Sequence, residues 1–417
     1  MKHLIIRNVG PIKEVDVELK RFNFLIGPQS SGKSTVAKVL STCEWVEKEV
    51  ETTRDERAVG TGEYFRSLIE SFHKMEEYFD KGAESYVLYK TEFVEICYEH
   101  GELSIHLNRS ELYHRQKICY IPAERNMVTL PELKGFEFST TNLRSFLFDW
   151  YRAREYYSPQ NKTNVLGLDV QYYYDADMST KNDRIQHVNG KTYDISLSNS
   201  SSGLQSLTPL IVMLQYYSDQ YFNEYDYKKS FDQDSKVKQT RVALVREVAM
   251  SLYKPGFKEE EVESLVAQFN DELHKGVKRV LDIYNEYDKA CDRLLIPNRT
   301  TFIIEEPEQN LYPFTQVALL EDIVRLCSNG RAHGCTITTH SPFILNYLNV
   351  LITRYYKNVP DTVHLNPSEL GVFSTGDGRL TDLMQVNAKT GEISVNADDL
   401  VEVMRCMYSE YRQMKEK

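Results

Sequence analysis

Nine consecutive residues have the types and spacing needed to hold a triphosphate. They are Gly27, Pro28, Gln29, Ser30, Ser31, Gly32, Lys33, Ser34 and Thr35, and the first eight match the pattern G-x-x-x-x-G-K-[ST] in full. In such a loop the backbone amides surround the phosphates, the lysine reaches the β- and γ-phosphates, and the serine hydroxyl ligates Mg²⁺. The alternative is a glycine-rich turn without a ligand. The complete pattern, the Walker A motif, favours ATP and Mg²⁺ as cofactors.

The elements around this run are those that a phosphate-binding loop needs. Residues 22–26 form a short apolar run that is typical of a buried strand, and residues 35–40 open a helical pattern. A strand, a loop and a helix start in this order aim several N–H groups and the positive end of a helix at one point. The sequence therefore predicts a phosphate site between this strand and this helix.

A second candidate site lies where an apolar strand ends in carboxylates. Glu305 and Glu306 directly follow the apolar residues 302–304. In phosphate-loop ATPases the strand beside the loop ends in an acid that holds Mg²⁺, the Walker B group. We therefore predict that Glu305 supports the metal and that Glu306 is the catalytic base for the attacking water. The alternative is a solvated acidic turn after a core strand.

A histidine ends a third strand. His340 follows the strand-like residues 336–339, and this strand is expected beside the strand that ends at Glu305. Lone histidines in strands and turns are mostly structural. At this position, however, the ring would be able to touch a γ-phosphate, and we predict that His340 is a catalytic residue.

A serine run opens a helix about midway along the chain. Residues 199–202 are Asn-Ser-Ser-Ser, and Gly203 follows them. Hydroxyl and N–H groups at a helix start suit an anion, although the same run can also be a simple N-cap after a flexible loop. Because no second Walker lysine accompanies the run, we predict that Ser202 and Gly203 contact a nucleotide that another segment mainly holds.

The composition is that of an ordinary soluble globular protein. Of the 417 residues, 41% are hydrophobic and 27% charged, which excludes a disordered chain. The net charge of −11 argues against a surface built wholly for nucleic-acid backbones, but it leaves a local basic groove open. Seven scattered cysteines without a C-x-x-C pair suggest reduced thiols of a cytosolic protein. Without an apolar run of ~18 residues or a signal peptide, we expect a cytoplasmic protein that needs no membrane.

Strands and helices alternate around the phosphate loop, which predicts an α/β fold with a largely parallel sheet. We expect an N-terminal lobe over residues 1–200, with the Walker A motif and an antiparallel β subdomain. Residues 201–290 should contain the serine-run helix and a charged helical insertion, in which a single amphipathic helix carries the apolar stripe from Val262 to Tyr284. Residues 291–417 should form a C-terminal lobe with the acidic strand end, the histidine and a final helix.

Shorter elements are predicted from local patterns. The apolar spacing over residues 64–79 indicates one helix, residues 86–96 and 103–107 indicate a hairpin that turns at His100-Gly101, and residues 125–165 read as mostly loop.

The order of these motifs resembles that of an ABC-type ATPase head. Residues 202–205 (Ser-Gly-Leu-Gln) resemble the ABC signature, and His340 resembles the switch histidine. Residues 8–11, 305–313 and 339–342 are closely similar to segments of the OLD/RecF-like branch, and residues 120–125 (Tyr-Ile-Pro-Ala-Glu-Arg) also resemble a segment of those prokaryotic ATPases. The resemblance covers nearly the whole chain. It implies an ABC-type P-loop NTPase head with an antiparallel β subdomain and a helical insertion, and a homodimer or higher homo-oligomer that sandwiches ATP.

The chain departs from this family pattern at three points. Glu305 stands where many relatives carry Asp, so the metal contact would pass through water. Gln116 is the nearest candidate for the Q-loop glutamine, and it can equally be a solvated strand residue. OLD nucleases continue into a Toprim domain, whereas the segment after His340 is short and its carboxylates are not grouped. Nuclease activity is therefore not expected in this chain.

Stand-alone ATPases of this kind resemble the ATPase subunits of bacterial antiviral systems such as Septu, PARIS and certain retrons. This resemblance implies a sensor or scaffold that controls a separate effector, expected to be a nuclease, in response to DNA or a phage protein. A RecF/SMC-like DNA-repair ATPase is the alternative, and a transporter ATPase is a third. The net charge of −11 favours the first over the second.

Overall fold

The computed structural model describes residues 2–79, 84–108, 110, 112–130, 140–178, 182–189, 193–225, 240–248 and 261–415. Its main feature is an 11-stranded mixed sheet with the strand order β6-β5-β4-β1-β2-β15-β14-β3-β13-β12-β7. Helices cover both faces of this sheet. The predicted α/β fold class is confirmed. The expectation of a largely parallel sheet is wrong, because half of the strand pairings in this sheet are antiparallel.

Five parallel strands form one half of the sheet. They are β14 (Leu370–Gly376), β3 (Phe22–Ile26), β13 (Gly334–Thr339), β12 (Arg299–Glu305) and β7 (Gln116–Ile121). Strand β3 is buried along its whole length, and β12 is buried at every residue after Arg299. This explains the apolar runs at residues 24–26 and 302–304, since a strand between two helical layers has no solvent face.

The other half of the sheet is mainly antiparallel. It contains β1 (Lys2–Val9), β2 (Ile12–Leu19), β4 (Tyr86–Lys90), β5 (Val94–Glu99) and β6 (Glu102–Leu107), and β15 (Arg379–Asp382) joins it to β14. The predicted turn at His100-Gly101 is confirmed between β5 and β6. The strand expected over residues 86–96 is two strands, because the Thr91 hydroxyl accepts bonds from the N–H groups of Phe93 and Val94 and closes a turn there.

Smaller elements complete the strands. A four-stranded sheet consists of β8 (Thr163–Asn164), β9 (Val170–Tyr174), β10 (Asp183–His187) and β11 (Asp194–Ser196). A short hairpin pairs β16 (Met384–Val386) with β17 (Ile393–Val395).

Several of the helices form two large cores against the main sheet. The helices are α1 (Lys33–Thr53), α2 (Gly62–Glu70), α3 (Asn142–Glu155), α4 (Ser202–Gln215), α5 (Tyr221–Glu224), α6 (Val262–His274), α7 (Lys278–Leu295), α8 (Pro313–Cys327), α9 (Pro342–Tyr356) and α10 (Asp398–Lys415). Helices α1 and α2 share one core with the antiparallel strands. Helices α3, α4, α8 and α9 share the other core with the parallel strands.

Three predicted elements differ from the structure. The single helix expected over residues 262–284 is two helices, α6 and α7, because the chain turns at Gly276, whose φ is +68°. The helix expected over residues 64–79 ends at Glu70. It cannot continue to residue 79, because Lys74 and Glu77 have φ values of +54° and +68°, which a right-handed helix does not contain. The stretch from residue 125 to 165 was expected to be loop, but it contains α3.

Helix α3 was missed although its pattern is amphipathic. It buries Phe146, Leu147, Trp150 and Ala153 on one face, and the Thr141 hydroxyl caps its first turn.

Part of the predicted insertion over residues 218–290 lies outside the described residues. None of the helices in the described part of the chain combines the length and the apolar character that a membrane span requires.

Candidate functional site

The Walker A residues form a tight loop between β3 and α1. Helix α1 begins at Lys33, and its N-cap Gly32 has φ +100° and no side-chain cap, so the first N–H groups of the helix are free to bind an anion. A Cβ at Gly32 would collide with Ile12, and one at Gly27 would collide with Thr375 of β14. Both glycines of the pattern are therefore required by close packing.

The Lys33 side chain lies along this loop. Its Nζ donates to the carbonyl oxygens of Gly27 (2.9 Å) and Pro28 (2.7 Å). The side chain is 5% exposed, and burial lowers the pKa of Lys33, while the carboxylates of Glu306 and Glu308 oppose this shift. Glu306 and Glu308 are close enough to Lys33 to act on its charge. The lysine and the acidic strand end therefore lie at the same edge of the sheet.

Strand β12 delivers the two predicted acids to this edge. Glu305 is its last residue, and Glu306 follows with φ +43°, a conformation that costs a non-glycine residue on the order of 1 kcal/mol. One assumption about the neighbourhood was wrong: the strand directly beside β3 is β13, which lies between β3 and β12. The histidine strand therefore separates the phosphate loop from the acidic strand.

This order of strands places His340 next to the acids. Its Nε2 lies 3.2 Å from Oε1 of Glu306, within hydrogen-bond distance. The backbone N–H of His340 donates to Oε1 of Glu308 at 2.6 Å, and the Thr339 hydroxyl donates to the same oxygen at 2.8 Å. Glu308 therefore joins the loop after β12 to the loop after β13. Because it holds the backbone of His340, it helps to fix the position of the imidazole.

Several buried polar atoms near these acids have no hydrogen-bond partner among the residues that the structure describes. Oε1 of Glu305 and the Thr338 hydroxyl are both buried without one, and Glu305 is 4% exposed. An orphaned carboxylate oxygen at this depth suits a hydrated cation, and the half-buried Ser34 at the start of α1 offers a hydroxyl. These residues fit Mg²⁺ bound together with nucleotide phosphates. Within the described residues, no three His, Cys, Asp or Glu side chains converge to hold a metal by themselves.

Ser202 and Gly203 lie at the start of a helix that no described hydrogen bond joins to the phosphate loop. They start α4, where the Ser201 hydroxyl accepts from the N–H of Leu204 at 3.5 Å. Ser202 is exposed, and its described contacts do not include the phosphate loop of the same chain. A Cβ at Gly203 would sit 3.1 Å from the carbonyl oxygen of Asn310, so this helix start packs against the segment that follows the acids.

Gln116 does not belong to this site. It is the first residue of β7, pairs with Arg299 at the start of β12, and accepts a hydrogen bond from the Thr301 hydroxyl at 2.9 Å. It therefore lies at the edge of the sheet opposite to the phosphate loop. The alternative of a solvated strand residue is also wrong, because Gln116 is buried.

Two side chains at the site received no role from the sequence. Glu308 lies in the segment 305–313 that resembles the OLD/RecF-like branch, and its position two residues after Glu306 was the only signal for it. Arg125 is fully buried and donates to the carbonyl oxygens of Glu305 and Glu306, both at 2.8 Å. No local pattern in the sequence indicates that Arg125 contacts the backbone of these two acids.

A cavity of about 430 Å³ adjoins the phosphate loop. The loop residues 26–29 and His340 line one side of it, and Leu345, Leu383 and Ala397 line the other. It therefore extends from the phosphate loop towards the C-terminal segment.

Comparison with known proteins gives likeness of fold only. No family model matches the chain, and no curated protein does. Among solved structures, the chain is similar to the SMC head domain from Thermotoga maritima, with 11% identity, 91% of this chain and 97% of that chain covered, and a TM-score of 0.38.

Two further structures are similar over comparable lengths. The Smc head domain from Pyrococcus furiosus bound to the C-terminal domain of ScpA has 10% identity, 98% and 100% coverage, and a TM-score of 0.36. The recombination mediator RecF with ATP has 12% identity, 91% and 98% coverage, and a TM-score of 0.31. Since every TM-score is below 0.5, the partners and activities of these proteins are not carried over to this chain.

The chain's own topology decides the fold type. Along one mixed sheet it arranges a phosphate loop, an acidic strand end and a histidine strand end, with a serine-capped helix packed against the segment after the acids. An antiparallel β region flanks them. The chain therefore has an α/β fold in which the phosphate loop, the acidic strand end and the histidine strand end lie at one edge of a mixed sheet.

Proposed function

We propose that this chain binds ATP with Mg²⁺ and hydrolyses it slowly to ADP and phosphate. The observation that carries the proposal is the meeting of three groups at one sheet edge. The uncapped start of α1 with Lys33 offers a triphosphate site, and the hydrogen-bonded pair of Glu306 and His340 lies beside it.

In this proposal each side chain has a separate role. Lys33 exchanges its two loop carbonyls for phosphate oxygens, and Ser34 and Glu305 hold Mg²⁺, which neutralises charge on the phosphates. Glu306 takes a proton from the attacking water as general base. His340 contacts the γ-phosphate and keeps the Glu306 carboxylate in place through the 3.2 Å contact.

We further propose that two chains meet across ATP. Ser202 and Gly203 present hydroxyl and N–H groups at an exposed helix start but have no Walker lysine of their own. A second chain would supply the nucleotide that they contact. Closing of this homodimer would then report the nucleotide state.

The cellular role that we propose is a sensor or scaffold subunit of a bacterial antiviral complex in the cytoplasm, which controls a partner effector, a nuclease. The support is the sequence resemblance together with an exposed helix. All side chains from residue 405 to 415 of α10 are exposed, including Met407, Tyr408, Tyr411 and Met414, which are 56–64% exposed. Aromatic and methionine side chains on an exposed helix suit a protein partner.

A DNA-repair role of the RecF/SMC kind is the second candidate. Two experiments separate these functions. Turnover of ATP by the purified chain, lost in Glu306→Gln, tests the ATPase. Co-purification with the product of the neighbouring gene, compared with binding to plasmid and single-stranded DNA at several salt concentrations, tests the role.

A further inference from the structure

Arg125 is a buried cation that is held by backbone carbonyls. Its side chain is 0% exposed, and its described hydrogen bonds all go to backbone carbonyl oxygens. Burial lowers the pKa of Arg125 to about 10, which leaves the guanidinium charged at neutral pH, and Glu305, Glu306 and Glu308 favour the charged form. A buried charge of this kind must be satisfied by hydrogen bonds, and here backbone oxygens provide them.

The carbonyls come from separate parts of the fold. Nη1 donates to Glu305 (2.8 Å), Nη2 donates to Glu306 (2.8 Å), and Nε donates to Ser206 in the first turns of α4 (3.0 Å). Pro122 and Pro307 accept weaker bonds at 3.3 and 3.4 Å. One rigid, planar group therefore bonds the backbone of the predicted metal-supporting acid Glu305, the backbone of the predicted base Glu306 and the helix that begins at Ser202.

A second link joins the same two segments. Nδ2 of Asn310 donates to the hydroxyl of Ser206 at 3.1 Å, and the carbonyl of Asn310 lies against Gly203. Ser206 is completely buried, so both its carbonyl and its hydroxyl are used inside the protein. The loop after β12 and the start of α4 are thus connected at two places.

From these contacts we infer that Arg125 is a positioning residue that couples the Glu305-Glu306 loop to α4. The inference rests on the proposed function, since it concerns the same acids. Glu306 has a φ of +43°, and the bond that Arg125 makes to its carbonyl helps to hold this conformation. A displacement of α4 at Ser202 is therefore transmitted to the general base, and the reverse also holds.

The first test compares two conservative variants of buried arginines. Arg125→Lys keeps the charge but cannot make three directed bonds, whereas Arg54→Lys is a matched control at the far end of α1, where Arg54 pairs with Glu51. We expect Arg125→Lys to lower kcat per titrated ATP site about 10- to 100-fold, with ATP affinity changed less than about threefold. Arg54→Lys should leave both values unchanged. Equal kcat per site in Arg125→Lys and the parent would overturn the inference.

If Arg125 had a purely structural role, Arg125→Lys would reduce the number of folded sites and leave kcat per site unchanged. Dividing the rate by the amount of bound ATP therefore distinguishes a structural role from a positioning role. If Arg125→Lys does not fold, Ser206→Ala replaces it, because this change removes only the hydroxyl that Asn310 uses and alanine suits a helix. It should lower kcat per site about two- to tenfold at unchanged ATP affinity. An unchanged kcat in Ser206→Ala would then contradict the coupling.

The second test is independent of hydrolysis. Amide hydrogen exchange of the nucleotide-free protein should rise in Arg125→Lys both in residues 305–310 and in residues 202–206. Faster exchange confined to residues 120–130 would overturn the inference. A parent protein without ATP turnover would contradict the proposed function, while the exchange result would still decide the coupling.

Discussion

Nε2 of His340 lies 3.2 Å from Oε1 of Glu306, although the two residues directly follow different strands. Strands β13 and β12 are parallel neighbours with Thr338 opposite Glu305, so both side chains emerge at the same edge. Glu308 holds the backbone of His340 from the other side. This arrangement makes a concerted role for the two residues testable.

We expect His340→Ala to lower kcat about 10- to 100-fold while ATP binding persists, because the γ-phosphate loses a contact and Glu306 loses its partner. His364→Ala is the matched control, since His364 is exposed in the loop after α9. Turnover should be measured by phosphate release and binding by titration with a fluorescent ATP analogue. Unchanged turnover in His340→Ala would remove this residue from the mechanism.

Lys33→Ala should abolish detectable ATP binding. The lysine is the only side-chain cation in the described phosphate loop. Without it, the carbonyl oxygens of Gly27 and Pro28, to which it donates, would repel the phosphates with no positive charge beside them. Lys20→Ala, at the opposite end of β3, should bind ATP as the parent does. Isothermal titration with Mg²⁺ and ATP distinguishes them, and parent-like affinity in Lys33→Ala would contradict the assigned site.

Ser202→Arg should prevent ATP-induced association of two chains in a Glu306→Gln background. We choose Ser202 because it is exposed, whereas any side chain at Gly203 would also press on Asn310 within its own chain. Each chain should still bind ATP. Sedimentation velocity with and without ATP measures the association; if the arginine variant associates like its parent background, Ser202 does not face a second nucleotide site.

The buried carboxylate of Glu51 predicts a pH dependence of stability. Burial raises the pKa of Glu51 from 4.5 to about 7, against the opposing effect of Arg54. The folded state therefore holds this proton more tightly than the unfolded state, and the free energy of unfolding falls as the pH rises from about 4.5 to about 7. The slope from this group is at most about 1.4 kcal/mol per pH unit.

Glu51→Gln should therefore flatten the dependence of the unfolding free energy on pH between about 5 and 7. Glu47, also buried with a raised pKa, keeps part of the slope in this variant. Glu63→Gln, on the exposed start of α2, serves as control and should match the parent. Urea titrations at a series of pH values provide the measurement. The same slope in Glu51→Gln and the parent would show that Glu51 does not bind the proton on folding.

Much of the fold could be predicted from local sequence. The run at residues 22–26, the Walker A loop and the apolar run before Glu305 each determine a strand or a loop by their own pattern. The break at Gly276 and the early end of α2 were missed because apolar spacing continues across both, and periodicity alone does not register a change of chain direction.

The site was predictable in its parts but not in its connections. Lys33, Glu306 and His340 could be named because each follows a strand in a known pattern. Three features could not be predicted because they depend on contacts between residues far apart in the chain, which a single sequence does not reveal. They are the position of β13 between β3 and β12, the link from Glu308 to His340 and the position of Arg125.

The central claim is that Glu306 activates water for hydrolysis of ATP held by Lys33. Its most direct test is the rate of phosphate release by Glu306→Gln, measured beside the amount of ATP that the same protein retains. The glutamine keeps the shape of the side chain but cannot accept the proton, so we predict turnover about 10²- to 10⁴-fold below that of the parent, with ATP retained at the parent level or above. Equal turnover in Glu306→Gln and the parent, at equal ATP occupancy, would contradict the account.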